Sequence, residues 1–461
     1  MSAKELTSQE RLADGHALLE QGDMPRAVES FQAVLDQEPE NLQALAGLGF
    51  AYVTLGRYHD VVPILERGVA NSPHNAGLLE MLGVSYAYTG NIDAAEQTLR
   101  KALRFGNRGA QTVVNLAAVL NEQGKFDEAQ SMFSSCLRRE PEHLQARYNL
   151  GLLKLLKGEF KEGWKGFELR NEVVNRGAPQ WAQRCPASEW HGEDLKDCRI
   201  LLYAEQGLGD SIQFARYASL VAGLGASVTL QCAPVLTDLL GAIDGVSRCV
   251  STESTVDDAD FKVSLLSLPH LFETTADSIP EMTPYITIPD ATIKSWGGII
   301  ARMGEGPKVG LVWSGNPDNK TDYKRSVRLS EMEAILRRRD ICFISLQIGE
   351  TASQIASLDP KIHPHTLFED VRPLTDVAAV IQNLDLLITV DTALAHLAGA
   401  LATPVWTMIT PFPDWRWMLY RADTPWYRSM RLFRQPAVGD WQSVVHDINN
   451  ALDQLSDEQQ N

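Results

Sequence analysis

The chain is poor in the residues that would staple or anchor it. Its six cysteines, at positions 136, 185, 198, 232, 249 and 342, form no C-x-x-C pair and mostly lie in apolar stretches, the setting of buried free thiols. That usage speaks against a disulfide scaffold and for a reducing compartment. Uncharged runs of about 18 residues are missing, so no membrane-spanning helix is predicted. The opening MSAKELTSQERLADG is polar and lacks the apolar stretch of a secretory signal, and a cytoplasmic location is expected. Positive charge is also scarce. A formal net charge of -17 disfavours nucleic acid and anionic lipid as partners, while leaving room for a local basic pocket. No His, Cys and Asp cluster has metal-ligand spacing, so no metal site is expected. The patterns G-x-x-x-x-G-K-[ST] and G-x-S-x-G and a kinase signature are absent as well.

What is present is a period. Gly22, Gly56, Gly90, Gly124 and Gly158 stand 34 residues apart, accompanied by Gly15, Gly49, Gly83, Ala117 and Gly151 seven residues earlier. Pro39, Pro73 and Pro141 and Ala27, Ala95 and Ala129 keep the same register. Small residues let two helices approach, the central glycine permits a tight turn, and proline closes the second helix. Phe31, Leu65, Leu99, Phe133 and Phe167 recur on that second helix. One hairpin cannot bury such a face alone, so neighbours must stack. The pattern resembles the tetratricopeptide repeat (TPR). Asn107 replaces the expected proline, and Gly163 with Gly166 marks the fifth hairpin as a terminal repeat joining the next domain.

Near residue 175 the period stops, and GAPQWAQRCPASEWHGEDL is expected to be a linker. Beyond it, apolar runs alternate with amphipathic ones. Strands are predicted over 199–204, 227–232, 261–266, 309–313, 342–346, 385–390 and 405–409. Helices are predicted over 210–223, 235–243, 329–339, 375–384, 391–402 and 441–455. Such alternation implies parallel sheets covered by helices, here as two Rossmann-like halves. The expected division is a repeat domain over 1–175, a first half over 176–290 and a second over 291–461.

Parallel sheets bind ligands beyond the carboxyl ends of their strands, so the turns there hold the candidate residues. In AEQGLGDSIQFAR, Gly207 and Gly209 permit a tight turn, and Asp210 opens a helix. It is placed either to cap that helix or to accept a proton from a substrate hydroxyl. In LLITVDTALAHLAGALATPVW, Asp391 or Thr392 can cap a helix whose backbone N–H groups suit a phosphate. Small residues from Ala393 onward let a ligand lie close, and His396 is either a crevice residue or a structural histidine. SGNPDNKTDYKRSVRLS gathers Lys320, Lys324, Arg325 and Arg328, which suit a phosphate or simply solvent. In PFPDWRWMLYRADTPWYRSMRLFRQ, Trp415, Trp417, Trp426 and Tyr427 suit stacking on a base or sugar, or core packing against the C-terminal helix. Asp258-Ala259-Asp260 matches a metal-dependent D-x-D pattern but precedes a strand, and reads as a loop.

Together GLGDSIQFARY, VGLVWSGNP, TVDTALAHLAGALATPVW, PDWRWM and PWYRSMRLFRQ resemble the catalytic domain of bacterial TPR glycosyltransferases. These are relatives of the family 9 heptosyltransferases and similar in architecture to flagellin glycosyltransferases. The resemblance implies a GT-B fold, with acceptor in the first half, sugar nucleotide in the second, and no metal or other cofactor. It implies Asp210 as general base, His396 as a second catalytic residue, and Gly207 and Gly209 as the acceptor-side loop. On the donor side it implies Trp313, Ser314, Gly315, Lys324, Arg325, Arg328, Gln347, Asp391, Thr392 and Ala393, the last standing where heptosyltransferases have glycine. The expected activity is inverting transfer from a nucleotide sugar to a protein recruited by the repeats, flagellin being one candidate. The alternatives are a lipopolysaccharide heptosyltransferase-like enzyme and a non-catalytic TPR scaffold.

Overall fold

The computed structural model describes residues 6–173, 177–281, 283–317, 322–367 and 373–460. It divides into two compact units, Met1–Leu153 and Lys154–Asn461. The expected boundary at residues 175 and 176 lies outside the described residues.

In the first unit, helices pair as Ser8–Gln21 with Met24–Leu35, Leu42–Thr54 with Tyr58–Asn71, Ala76–Tyr88 with Ile92–Arg104, and Ala110–Glu122 with Phe126–Arg139. Each periodic glycine adopts a left-handed backbone that side chains resist, with φ of 79° at Gly22, 69° at Gly56, 82° at Gly90 and 74° at Gly124. That geometry lets the next residue's N–H fold back onto the helix: Asp23 to Leu18 O at 2.9 Å, Arg57 to Tyr52 O at 2.9 Å, Asn91 to Tyr86 O at 2.8 Å. These bonds satisfy carbonyls that the helix end would orphan. The earlier small residue serves packing instead, since a Cβ on Gly83 would stand 2.6 Å from Leu99 Cγ. Phe31, Leu65, Leu99 and Phe133 are buried as the period requires, each side chain contributing about 1.5–3 kcal/mol.

The second unit opens with the helix Phe160–Phe167 and then builds its sheets from β1 (Ser188–Glu189), β2 (Arg199–Tyr203), β3 (Ser227–Cys232), β4 (Val246–Ser251), β5 (Phe261–Ser264), β6 (Lys308–Val312), β7 (Cys342–Ser345), β8 (His365–Thr366), β9 (Leu386–Val390), β10 (Val405–Ile409) and β11 (Met430–Arg434). One sheet has the order β1-β5-β2-β3-β4 and the other β11-β10-β9-β6-β7-β8. Every ladder is parallel. Counted from β6, the second sheet follows the 3-2-1-4-5-6 arrangement of doubly wound folds, and the first follows its 3-2-1-4 portion from β2. The chain therefore leaves in opposite directions at β2/β5 and at β6/β9, opening a crevice at each of those strand ends.

Several elements differ from expectation. The supposed linker belongs to the first sheet: β1 pairs with β5, and Trp181 Nε1 donates to Ala204 O at 2.9 Å. The helix expected over 210–223 is two, Leu208–Ala215 and Ala218–Gly223: Tyr217 N donates to Phe214 O at 3.1 Å, and Arg216 Nε donates to Gln213 O at 3.0 Å. The helix expected over 329–339 is a 3-10 turn, Leu329–Met332, and one helical turn, Glu333–Leu336. The C-terminal helix Trp441–Gln460 packs on β11 and on the segment Leu329–Leu336, burying Trp441, Val444, Ile448 and Leu452 in the core beside the second sheet. Trp415 and Trp426 pack elsewhere. Their rings lie 5.2 Å and 6.5 Å from that of Trp164, on the helix Phe160–Phe167.

Candidate active site

On the first sheet's side, Gly207 caps the helix Leu208–Ala215, and its N–H donates to Asp210 Oδ2 at 2.9 Å. The loop before it is held by a buried ion pair between Glu205 and Arg170. Asn171 Nδ2 adds a bond to Glu205 Oε2 at 3.0 Å, and Arg170 Nη2 reaches Ser267 Oγ, beyond β5, at 2.8 Å. One arginine thus secures the loops that follow β2 and β5.

On the second sheet's side, β9 ends at Val390 and the helix Ala393–Ala400 begins after Thr392. Thr392 sits at the N-cap with extended backbone but makes no side-chain cap bond, its hydroxyl lying 3.2 Å from that of Thr389. Ala395 N donates to Thr392 O at 3.1 Å, and the N-terminus of this helix faces the crevice, an arrangement that favours an anion. After β6, Gln347 Oε1 accepts from Trp313 N at 3.1 Å and Ser314 N at 3.0 Å, while its Nε2 donates to Thr351 Oγ1 at 2.9 Å. Gly315 N donates to Ser326 Oγ at 3.1 Å, and a side chain at Gly315 would collide with Asp322 and Arg325.

The helices Leu208–Ala215 and Ala393–Ala400 pack on one another. A Cβ on Gly209 would stand 2.9 Å from His396 Cδ2. Two buried arginines cross the same seam in opposite directions. Arg216 Nη1 donates to Trp426 O at 2.8 Å, and its guanidinium lies 4.8 Å from the rings of both Tyr285 and Tyr427. Arg416 Nη2 donates to Asp210 Oδ1, and its Nε donates to Gln213 Oε1 at 2.6 Å. His396 is enclosed, stacked 5.2 Å from Trp417, with Nδ1 3.1 Å from Tyr427 Oη.

Burial governs the titration of these groups. It raises the Asp210 carboxyl above its ordinary range, with Arg416 pulling the other way. Burial and the neighbouring Asp414 push Asp391 up to about 6. Burial holds His396 well below its ordinary value, reinforced by Arg416, Arg216 and Arg325, so its imidazole is neutral at physiological pH.

The crevice thus brings together Gly207, Gly209, Asp210, Asp391, Thr392, Ala393 and His396. Arg325 is half-buried, tied to Asp322 at 2.8 Å, and its charge acts on Asp391 and His396. Lys324 and Arg328 are exposed. Lys320 lies outside the described residues. The Trp313 indole is in the core of the second sheet, and the Gln347 amide oxygen accepts from the backbone of residues 313 and 314. Both shape the loop after β6. The D-x-D carboxylates make surface ion pairs, Asp258 with Arg248 at 2.8 Å and Asp260 with Arg199 at 3.1 Å. Among the described residues no three His, Cys, Asp or Glu side chains gather as a metal site would require, and no helix is long and apolar enough to cross a membrane. Residues not anticipated are Arg170, Arg216 and Arg416. Their only sequence signal is an arginine within apolar or aromatic surroundings, as in FARY and DWRW.

Residues 18–69, 51–110 and 115–163 match tetratricopeptide repeat models. Residues 371–436 match glycosyltransferase family 9 (heptosyltransferase), a segment containing Asp391, Thr392, His396, Arg416 and Tyr427. The chain is 25% identical over 439 residues to Protein FlbA of Caulobacter vibrioides, covering 90% of this chain and 73% of that protein. It is 26% identical over 195 residues to Tetratricopeptide repeat protein 8 of Caenorhabditis elegans, covering 33% of this chain and 38% of that one. Among solved structures, MamA aligns at 23% identity with a TM-score of 0.32, covering 37% of this chain and 92% of MamA. The family matches support glycosyltransferase activity: tetratricopeptide repeats over residues 18–163 are followed by a segment, residues 371–436, that matches glycosyltransferase family 9.

Proposed function

We propose that the protein is an inverting glycosyltransferase of the GT-B type, using a nucleotide-sugar donor and neither a metal nor another cofactor. The observation that carries this reading is the meeting of two strand-end turns across one crevice, where Gly209 beside Asp210 faces Ala393 and His396. Asp210 takes the proton of the acceptor hydroxyl while that oxygen bonds to the anomeric carbon. The bond from that carbon to the diphosphate breaks, and its electron pair leaves with the nucleotide. The developing charge falls to the N–H groups that open the helix Ala393–Ala400 and to Arg325, with Lys324 and Arg328 as outer cations. Neutral His396 offers hydrogen bonding in place of charge. The acceptor is a protein recruited by the repeat domain, whose stacked hairpins are a surface type used for docking polypeptides. Flagellin is the candidate, on the architectural similarity to flagellin glycosyltransferases. A cytoplasmic location fits the free thiols.

The test is a thermal-shift panel of UDP-, GDP-, dTDP- and ADP-linked sugars, since a ligand of the native state raises its melting temperature. Turnover of the stabilising donor is then followed with Asp210→Asn and with EDTA. The variant is expected to lose about 10²–10⁴-fold in kcat while keeping the donor-induced shift, and EDTA to change nothing. Wild-type turnover in Asp210→Asn, or no stabilising donor, would end this reading.

A further inference from the structure

Arg416 lies in the short turn Trp415–Trp417 and is nearly sealed from solvent. Its nitrogens are engaged from both sides of the crevice. Nη2 donates to Asp210 Oδ1 and Nε to Gln213 Oε1 at 2.6 Å, both on the first sheet's side. Nη1 donates to Asp414 Oδ1 at 2.9 Å on its own side, and the guanidinium lies 4.3 Å from the Trp415 ring. A planar fork reaches three acceptors at once, which a lysine ammonium cannot do in this arrangement. Asp210 in turn receives Arg416 on one oxygen and the Gly207 N–H on the other. Each carboxylate oxygen keeps a second lone pair for a substrate proton.

We propose that Arg416 is the positioning residue of the base: it orients Asp210, holds it ionised, and ties that state to the approach of the two sheets. The inference rests on the reading of Asp210 as proton acceptor. The groups acting on Asp210 divide plainly. Burial, Asp414 and Glu205 favour protonation, while Arg416 and the Gly207 N–H oppose it. Glu205 is already paired with Arg170. From the opposing helix, His396 is neutral and supplies no charge. Arg216, just beyond Asp210's own helix, spends its guanidinium on Gln213 O, Trp426 O and Tyr285 Oη. Without Arg416 the carboxyl would protonate closer to neutral pH and lose its fixed orientation.

The experiment compares full-length wild type, Arg416→Gln, Arg416→Lys and Asp210→Asn, with folding checked by circular dichroism and melting temperature. Asp210 ionisation is read without substrate, from the pH dependence of urea stability of wild type minus Asp210→Asn, and again with both chains carrying Arg416→Gln. Turnover is read as nucleoside diphosphate released from UDP-, GDP-, dTDP- and ADP-linked sugars. In Arg416→Gln the Asp210 titration and the acid limb of kcat are expected to move up together by about one pH unit or more. At pH 7, kcat should fall about tenfold or more, with donor KM changed less than about threefold. Arg416→Lys should restore the limb but only part of kcat. An Asp210 titration unmoved by Arg416→Gln overturns the proposal, and so does one that moves without the limb. A rise in turnover also overturns it, making the pair a latch. If no donor in the panel is turned over, the titration alone decides. Wild-type turnover in Asp210→Asn removes the base itself, a distinct failure.

Discussion

Gly209 and His396 meet across the crevice so closely that a Cβ on residue 209 would stand 2.9 Å from the imidazole and 3.5 Å from Ala393 Cα. His396 has nowhere to retreat, because Trp417 stacks on its ring and Tyr427 holds Nδ1. Gly209→Ala is therefore expected to cost about 1–3 kcal/mol through overpacking. It should appear as a lower urea midpoint with an unchanged slope. An unaltered midpoint would mean that the two helices part there at no cost.

Asp391 gives the stability a pH dependence of unusual sign for a carboxylate. Its folded pKa of about 6 lies above the unfolded value of about 3.9. Between those values the native state binds more protons, so stability falls as pH rises from about 4 to about 6, by up to about 3 kcal/mol. Asp391→Asn escapes that loss. Urea titrations should show the variant gaining on the wild type through this window and holding a constant advantage above it. A pH-independent difference would place the carboxyl in ordinary solvent.

His396 contributes with the opposite sign. Its folded pKa is depressed, whereas in the unfolded chain it titrates near 6.5. Stability due to this group is therefore complete above that value and lost on acidification, as the unfolded state takes up the proton. His396→Gln should lose less stability than the wild type between pH 7 and pH 5, measured by the same titrations. Equal acid sensitivity of the two chains would show that the imidazole charges in place.

The repeat domain was legible because its signal is local. A left-handed turn strongly favours glycine, so a repeated helix–turn–helix unit leaves a fixed glycine spacing, as at Gly22, Gly56, Gly90 and Gly124. The central strands were legible for a related reason: LLITV, buried on both faces, reads as a continuous apolar run. Missed strands lie toward the sheet edges. VSRCVS of β4 is only partly buried, and MRLFR of β11 carries exposed Arg431 among buried neighbours. The candidate turns were found because strand ends in parallel sheets are where ligands bind. Arg416 was not, since its partner Asp210 is 206 residues distant and no local pattern records such a pairing. Gln347 shows the converse difficulty. A polar residue at a strand end reads as a ligand, and the fold adds a second role, its Oε1 holding the backbone of residues 313 and 314 and its Nε2 donating to Thr351 Oγ1.

Trp164 joins the helix that opens the second unit to both of its sheets, and that makes it the most exacting packing test. Its ring is buried, lies 5.2 Å from that of Trp415, and donates through Nε1 to Thr274 O, beyond β5, at 2.8 Å. Trp415 in turn underlies the Arg416 guanidinium, so loosening Trp164 loosens the floor on which the proposed base is oriented. Trp164→Ala should cost about 3–5 kcal/mol, the range for deleting a buried aromatic. Trp164→Phe keeps most of the ring and drops the N–H, leaving Thr274 O unsatisfied for about 1–3 kcal/mol. Calorimetry separates the outcomes: the alanine variant should unfold well below the phenylalanine variant, and both below wild type. If phenylalanine restored the full melting temperature, the hydrogen bond to Thr274 would carry no weight and the helix would be held by ring packing alone.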